Sequence, residues 1–440
     1  MNSEVSSSGR PFHRWCGYLI YFIIAALPLS FAIADILLDL EDYQTYRVRR
    51  EFTGYCEVVL IALLLWGALK SWRVFNWCVL ALMAVPLLVL LGHFLFNPYD
   101  GPADEIARCL WRWTLIFLFA LVFYGAVAGR VIDITVRGMV IALVVGAFAY
   151  AVFALTFHFG LGHLAKLKKN DLLGFGNVRA STRLFVPALM CAIISFALPF
   201  ESWRRRYAFL AAALFISILS GYTGSRSTIF ALVSVGMLAA LLSPGFRHLR
   251  IAATTVGVIA FGLLIANLIP PVIQWLSTTE PSGASGSLSV FRYSSSGRTR
   301  IWNEIIELSL QQPIFGFGGV DYATPGIRHL SNAHNIVLQI FYEVGLVGWV
   351  AMATLATLFL LRVLKIVRAE MPDPYVTAMA LAACAIMADA LVSPALWFQY
   401  SAFLFVVLTV MTLAGQRAVD TVFSAKSLPD DPRAKDGAVG

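Results

Sequence analysis

The sequence predicts an all-α polytopic membrane protein with about twelve transmembrane helices, and composition, hydropathy and the length of the apolar runs all indicate this class. Apolar residues (Ala, Val, Ile, Leu, Met, Phe, Trp, Tyr and Cys) make up 59% of the 440 residues, and Asp, Glu, Lys and Arg only 13%, about half the charged share of a soluble domain. The mean hydropathy is +0.77. This excludes a soluble enzyme, a disordered chain and an outer-membrane barrel, whose strands would alternate over about ten residues.

Apolar runs near the length of about 20 residues that a helical span needs recur along the chain. The predicted spans are 17–39, 56–69, 74–96, 108–129, 134–160, 184–200, 207–221, 227–243, 251–273, 336–361, 375–394 and 397–415. Together they form one predicted membrane domain over residues 1–423. Residues 424–440 combine prolines with mixed charge, so we expect them to form a disordered cytoplasmic tail.

One connection, residues 274–335, is much longer than the others and is predicted to lie outside the membrane. It contains a Gly/Ser/Thr-rich linker and then the segment Thr299 to Leu310. Ile301, Ile305 and Leu308 recur there at helical spacing. This pattern predicts an amphipathic helix that lies on the membrane or on the helix bundle.

The basic residues of the short connectors predict the orientation. The tight connectors from Trp203 to Arg206 and from Arg362 to Arg368 lie on the cytoplasmic side if the N-terminus does, as the positive-inside rule requires. Both termini are therefore predicted to be cytoplasmic and residues 274–335 periplasmic. The outer connections still carry many Lys and Arg residues, which would attract phosphate or diphosphate groups. The alternative is that long outer loops simply escape the rule.

Two arginine-containing segments interrupt or flank the apolar sequence. Ser225 and Arg226 stand between spans seven and eight, where an arginine near membrane depth needs a partner or a polar cavity. Ser296, Arg298 and Arg300 stand at the start of the predicted amphipathic helix, and a helix N-terminus with guanidinium groups can bind an anion. A tight turn and ordinary helix capping explain the same residues structurally.

A histidine and an intramembrane acid are the remaining candidates. His334 and Asn335 precede the tenth span, and the positive end of a helix dipole favours a neutral imidazole, which can accept a proton. Asn335 has a simpler interpretation as the cap of that span. Asp389 lies deep in an apolar context, and such acids are functional candidates because burying them is costly.

Several familiar motifs do not occur. The sequence has no CxxC pair and no HExxH motif, and its six cysteines lie within or beside apolar runs, where they are interpreted as small buried hydrophobic residues. The glycine-rich segment after Pro313 is not followed by GKS or GKT, which excludes a nucleotide-binding P-loop. We therefore expect no metal site and no cofactor.

Taken in order, these segments resemble the bacterial O-antigen ligase and O-antigen polymerase superfamily. The matching motifs are Ser225-Arg226-Ser227, Ser296-Gly297-Arg298 with Ile301-Trp302, Pro313 with Gly316-Phe317-Gly318, and His334-Asn335 followed by Gly345-Leu346-Val347-Gly348. Their order around one large loop is specific. The resemblance implies a GT-C-like glycosyltransferase architecture in the bacterial inner membrane. It also implies transfer of a glycan from undecaprenyl diphosphate at the periplasmic face, without cofactor or metal.

The resemblance implies roles for individual residues. The two key arginines of the family correspond to Arg226 and Arg298, with Arg300 as the alternative for the second, and these would bind the diphosphate. The family's histidine corresponds to His334, which would act on the acceptor hydroxyl in an inverting transfer. The late-span aspartate of some members corresponds to Asp389. Supporting residues in or beside these motifs are Ser225, Ser296, Asn335 and Asp389.

The resemblance leaves the acceptor open. Ligases, polymerases and protein O-oligosaccharyltransferases share these motifs, but the dominant loop 274–335 and the basic segment Lys166 to Arg183 favour a ligase acting on phosphorylated lipid A-core. A transporter of a lipid-linked glycan or a small anion is the second class, although its functional charges would be expected near the membrane midplane. The predicted partners are the undecaprenyl-diphosphate-linked glycan, lipid A-core and the lipid bilayer, with no nucleic acid.

Overall fold

The computed structural model describes residues 10–38, 42–71, 75–96, 103–160, 182–198, 202–223, 225–276, 298–319, 322–324, 327–330, 333–370 and 372–426. These ranges contain thirteen α-helices. They are α1 (Arg10–Leu38), α2 (Asp42–Lys70), α3 (Trp77–Phe96), α4 (Ala103–Ala128), α5 (Val136–Gly160), α6 (Thr182–Ala197), α7 (Trp203–Tyr222), α8 (Arg226–Leu242), α9 (Arg247–Leu276), α10 (Arg298–Ser309), α11 (Ile336–Arg368), α12 (Pro374–Ala390) and α13 (Gln399–Lys426).

Every helix except α10 overlaps one of the predicted spans in chain order. Seven helices among the described residues, α1 to α5, α9 and α11, are long and apolar enough to cross a membrane, and α6, α8, α12 and α13 contain shorter apolar stretches. The predominantly helical, polytopic membrane fold is therefore confirmed. The number of twelve spans and the cytoplasmic position of both termini stay predictions.

Local sequence explains where the late helices begin. Asn335 precedes α11, and its side chain accepts hydrogen bonds from the backbone N–H groups of Val337 and Leu338. Asp373 does the same for the first turn of α12, where Pro374 occupies the first helical position. Both arrangements satisfy N–H groups that have no partner within the helix.

Helix α12 lies in the middle of the bundle and is buried along most of its length. It packs against α6, α8 and α13. Small residues allow this close approach, and buried alanines occur at Ala378, Ala380, Ala382, Ala383 and Ala385. Without a hydrophobic driving force in lipid, such close packing supplies much of the attraction between spans.

The long connection contains more structure than the sequence predicted. Helix α10 begins at Arg298, and its apolar side packs through Ile305 against Ala333 and Tyr342, so it lies on the bundle. Two short strands follow, β1 (Tyr322–Thr324) and β2 (Ile327–Leu330), which pair antiparallel and were not anticipated. Helix α9 extends to Leu276 and α13 extends to Lys426. The first residues of the predicted loop (274–276) and of the predicted tail (424–426) are therefore helical. The linker 277–297 and residues 427–440 lie outside the described residues.

The glycine-rich segment that follows α10 fits into a break in α11. The break is at Gly345, whose φ of 60° and ψ of −165° are not helical. A Cβ atom at Gly345 would overlap the backbone of Ile314, and one at Gly316 would overlap the backbone of Tyr342 and Glu343. Four backbone hydrogen bonds join the segments: Phe317 N to Tyr342 O (2.8 Å), Gly318 N to Glu343 O (2.9 Å), Leu346 N to Pro313 O (2.8 Å) and Val347 N to Ile314 O (3.1 Å).

Candidate active site

Four helix ends meet around the carboxyl group of Asp389, which is 1% exposed. Asp389 stands near the end of α12, and its Oδ2 accepts a hydrogen bond of 2.9 Å from Ser393. Ser227 at the start of α8 lies against the same carboxylate, and the guanidinium groups of Arg183 and Arg298 interact with it electrostatically. We call Arg183, Ser227, Arg298, Asp389 and Ser393 the cation cluster. It concentrates charge where α6, α8 and α10 begin and α12 ends.

The two arginines of the amphipathic helix point to different places. Arg298 is the first residue of α10, and its Nη1 donates a hydrogen bond of 2.6 Å to the carbonyl oxygen of Val392. Arg300 pairs with Glu304 one turn along the same helix at 2.8 Å, with a side chain that is 67% exposed. The structure therefore brings Arg298 into the cation cluster and leaves Arg300 on the outer side of α10.

Arg183 is a member of the cluster that the sequence interpretation missed. The sequence places it only at the end of the basic segment that begins at Lys166. In the fold it is the second residue of α6, is buried, and its guanidinium carbon lies 3.1 Å from the centroid of the Phe398 ring. The available signal was its position at the edge of an apolar span, where a buried arginine needs an anionic or aromatic partner.

The start of α8 brings the Ser-Arg-Ser motif to the rim of the cluster. Ser225 occupies the N-cap position without a capping hydrogen bond from its side chain. Its hydroxyl oxygen lies 3.2 Å from that of Ser227, which in turn contacts Asp389. Arg226 lies between the two serines and is exposed. Ser296 lies outside the described residues.

His334 occupies a tight turn whose backbone is held from both sides. Its φ of 50° is in the left-handed region, which is uncommon for a residue other than glycine. The carbonyl oxygen of the preceding Ala333 accepts a 3.0 Å hydrogen bond from Trp302 Nε1, and the Ala333 N–H donates to Gln339 Oε1 at 2.7 Å. Asn335 follows as the cap of α11. The side chain of Asn335 therefore has a structural role. We call residues 333–335 the His334 turn.

A buried chain of side chains continues from this turn into the bundle. Gln339 Nε2 donates to Glu343 Oε1 at 2.7 Å. Glu343 is fully buried and also accepts hydrogen bonds from Arg112 Nη2 at 2.9 and 3.0 Å and from Trp113 Nε1 at 2.8 Å. Breaking a buried ion pair of this kind is strongly destabilising, so the network fixes α11, and through Gln339 the His334 turn, on α4.

Helix α10 connects the two parts of the site. Arg298 lies in its first turn and reaches the end of α12, while Trp302 binds the His334 turn. Four residues correspond to a rise of about 6 Å in an α-helix. Residues one turn apart on α10 therefore contact the end of α12 and the turn that carries His334.

The candidate site combines guanidinium groups, which can bind anions, with the imidazole of His334, which can exchange a proton. Guanidinium groups bind phosphate oxygens through paired, charge-assisted hydrogen bonds, and a neutral imidazole can accept a proton from a hydroxyl. Among the described residues, no group of three His, Cys, Asp or Glu side chains is arranged to hold a metal ion.

Residues 210–353 match the family model described as O-antigen ligase. The matched part runs from α7 into α11 and contains Arg226, Arg298 and His334, while Arg183 and Asp389 lie outside it. No curated protein matches the chain at a significant level of similarity. The chain is thus a polytopic membrane protein whose residues 210–353 are similar to the O-antigen ligase family.

Proposed function

We propose that the protein is an O-antigen ligase of the bacterial inner membrane. It transfers the polysaccharide of an undecaprenyl-diphosphate carrier to lipid A-core at the periplasmic face. The observation that carries this proposal is the approach of Arg298 to Asp389 and the end of α12, one helical turn from the residue that binds the His334 turn. The match of residues 210–353 to the O-antigen ligase family supports it.

In this proposal the arginines bind the leaving group. Arg298 and the exposed Arg226 contact the diphosphate, and Arg183 adds a third positive charge at the buried side of the cluster. Glycosyl transfer breaks the bond between the anomeric carbon and a phosphate oxygen, and the electron pair of that bond moves onto the diphosphate. Cations placed where negative charge develops lower the barrier because they need no reorganisation during the reaction.

His334 acts on the acceptor. A hydroxyl oxygen of lipid A-core forms the new bond to the anomeric carbon, and its proton passes to the imidazole. Attack from the face opposite the diphosphate inverts the anomeric centre. The arginines already supply the positive charge that a diphosphate requires, so a neutral imidazole suits the role of general base. No cofactor or metal takes part in this proposed step.

The choice of a ligase over its relatives rests on charge. The basic segment that ends at Arg183 suits an acceptor that carries phosphate groups. A polymerase or a protein O-oligosaccharyltransferase would use the same leaving group with another acceptor. A transporter is disfavoured because Arg183, Arg226 and Arg298 stand at the predicted outer ends of their helices, whereas the functional charges of a transporter are expected near the midplane.

Reconstitution tests the proposal directly. Purified protein in liposomes receives undecaprenyl-diphosphate-linked glycan and lipid A-core, without ATP and with excess EDTA. We expect glycosylated lipid A-core as the product. Elongation of the carrier-linked glycan would indicate a polymerase instead, and movement of the intact donor between leaflets would indicate a transporter. Activity that requires one divalent ion would contradict the metal-independent mechanism.

A further inference from the structure

Exposed apolar side chains form a continuous strip along the end of α10 and the segment that follows it. The strip consists of Ile306, Leu310, Ile314 and Phe315, and the last three are 63%, 56% and 54% exposed. We call these four residues the apolar edge. The adjoining side of α10 is polar and exposed at Arg300 and Glu307. A helix with one side on the bundle, one apolar side and one polar side is typical of the membrane interface.

The apolar edge is continuous with the surface of α11. The backbone N–H groups of Leu346 and Val347 donate hydrogen bonds to the carbonyl oxygens of Pro313 and Ile314. Leu346 and Val347 are themselves exposed apolar residues, as is Val350 one turn later. Since α11 is long and apolar enough to cross a membrane, these exposed apolar residues suit a position against lipid, and the residues bonded to them lie at the same depth.

The length of α11 indicates that depth. Its last basic residues begin at Arg362, which is sixteen positions after Leu346. At 1.5 Å per residue this is about 24 Å, which is less than the hydrocarbon thickness of about 30 Å. If Arg362 lies at one membrane surface, Leu346 and the segment bonded to it lie inside the hydrocarbon of the opposite leaflet.

The backbone of the segment is compatible with this position. Non-helical backbone is tolerated at membrane depth only where its polar groups are satisfied within the protein. The N–H groups of Gly316, Phe317 and Gly318 all donate hydrogen bonds to backbone carbonyl oxygens. The carbonyl oxygen of Phe315 accepts one from His93 Nε2 on α3 at 3.0 Å. The segment is therefore wedged between α3 and α11, with its apolar side chains turned outward.

We propose that the apolar edge is immersed in the hydrocarbon of the leaflet on the α10 side, with lipid acyl chains as its partner. The segment from α10 to Gly319 is then a re-entrant element, whereas the sequence alone predicted a connection outside the membrane for residues 274–335, with an amphipathic helix on the membrane or on the bundle. The inference rests on burial and hydrogen bonding and does not depend on the proposed reaction. It fixes the depth of α10, and hence of its first residue, relative to the bilayer.

Fluorescence quenching in proteoliposomes tests the proposal. The background protein carries Cys78→Ser, which removes the exposed native cysteine, and it serves as the labelling blank. In this background, Phe315→Cys is labelled with an environment-sensitive fluorophore. We expect acyl-chain-brominated lipids to quench most of the emission at position 315 and aqueous iodide to quench little. Glu307→Cys on the polar side of α10 is the matched control, and we expect the opposite pattern there.

A second labelled position ensures that the result does not depend on Phe315→Cys alone. Leu310→Cys should behave like Phe315→Cys, because both belong to the apolar edge. Quenching by iodide at positions 310 and 315 would place the segment in water and overturn the proposal. Protection from both quenchers would overturn it as well, since it would indicate that a second protein surface, not lipid, covers the apolar edge.

Discussion

The cation cluster and the His334 turn lie one turn apart on α10, but they are held in different ways. The cluster consists of charged side chains at helix ends, where Arg298, Arg183 and Asp389 face one another. The His334 turn consists of backbone, and side chains bind both the N–H and the carbonyl oxygen of Ala333. Charge can be replaced in part by other charges, whereas a turn with positive φ depends on its supports. The two parts should therefore respond differently to substitution.

The largest effect is expected at the His334 turn. His334→Ala should slow transfer by about 10²–10⁴-fold, the usual contribution of a general base, while donor affinity and thermal stability stay close to those of the parent. Turnover, donor binding and melting temperature measured on one preparation check this. His248→Ala, an exposed histidine at the start of α9, is the control. Retained turnover in His334→Ala would remove the histidine from the mechanism.

The cation cluster should show a smaller effect, and it should appear in donor binding. Arg298→Lys keeps the charge but loses the planar fork, and hydrogen bonds to charged groups contribute about 1.5–3 kcal/mol. We expect donor use to fall roughly 10- to 100-fold. Arg300→Lys, which preserves the exposed pair with Glu304, should remain near the parent rate. Equal losses in both variants would contradict the assignment of Arg298 as the second diphosphate ligand.

The structural support of the His334 turn can be tested separately from the proposed proton transfer to His334. Gln339→Ala leaves the Ala333 N–H without the partner seen in the fold, at a cost of about 1–3 kcal/mol for an unsatisfied buried group. We expect kcat to fall about tenfold with little change in the KM for the donor. Gln311→Ala on the exposed side after α10 serves as the control. A change confined to the donor KM would show that Gln339 acts on the other half of the site.

The smallest effect is expected at Arg183. Arg183→Lys retains a positive charge near Asp389 but loses the stacking of a planar guanidinium on Phe398, which is worth about 1 kcal/mol, or roughly fivefold. The loss should appear as a higher KM for the donor. Arg204→Lys, in the exposed first turn of α7, is a control at the other end of the bundle. An unchanged donor KM in Arg183→Lys would limit Arg183 to a packing role.

The motif residues show why part of the site was predictable. Arg226, Arg298 and His334 stand in short segments whose order along the chain points to one superfamily, and the family match over residues 210–353 confirms that resemblance. The Pro313 and Gly345 motifs belong to the same pattern, but their role was not apparent. The structure shows that their residues join the end of α10 to the break in α11, so they hold the end of α10 against the bundle.

The sequence by itself determined the class of protein, the position of the helices and the residues that carry charge. Apolar length and helical spacing are local properties, so they can be interpreted segment by segment; the predicted stripe at Ile301, Ile305 and Leu308 needs only one helix. Tertiary structure alone decided which residues meet. Arg112 and Glu343 are 231 residues apart, and Arg183 contacts Phe398, which lies about half the chain length away in sequence. Such partners depend on how helices pack, which no local pattern specifies.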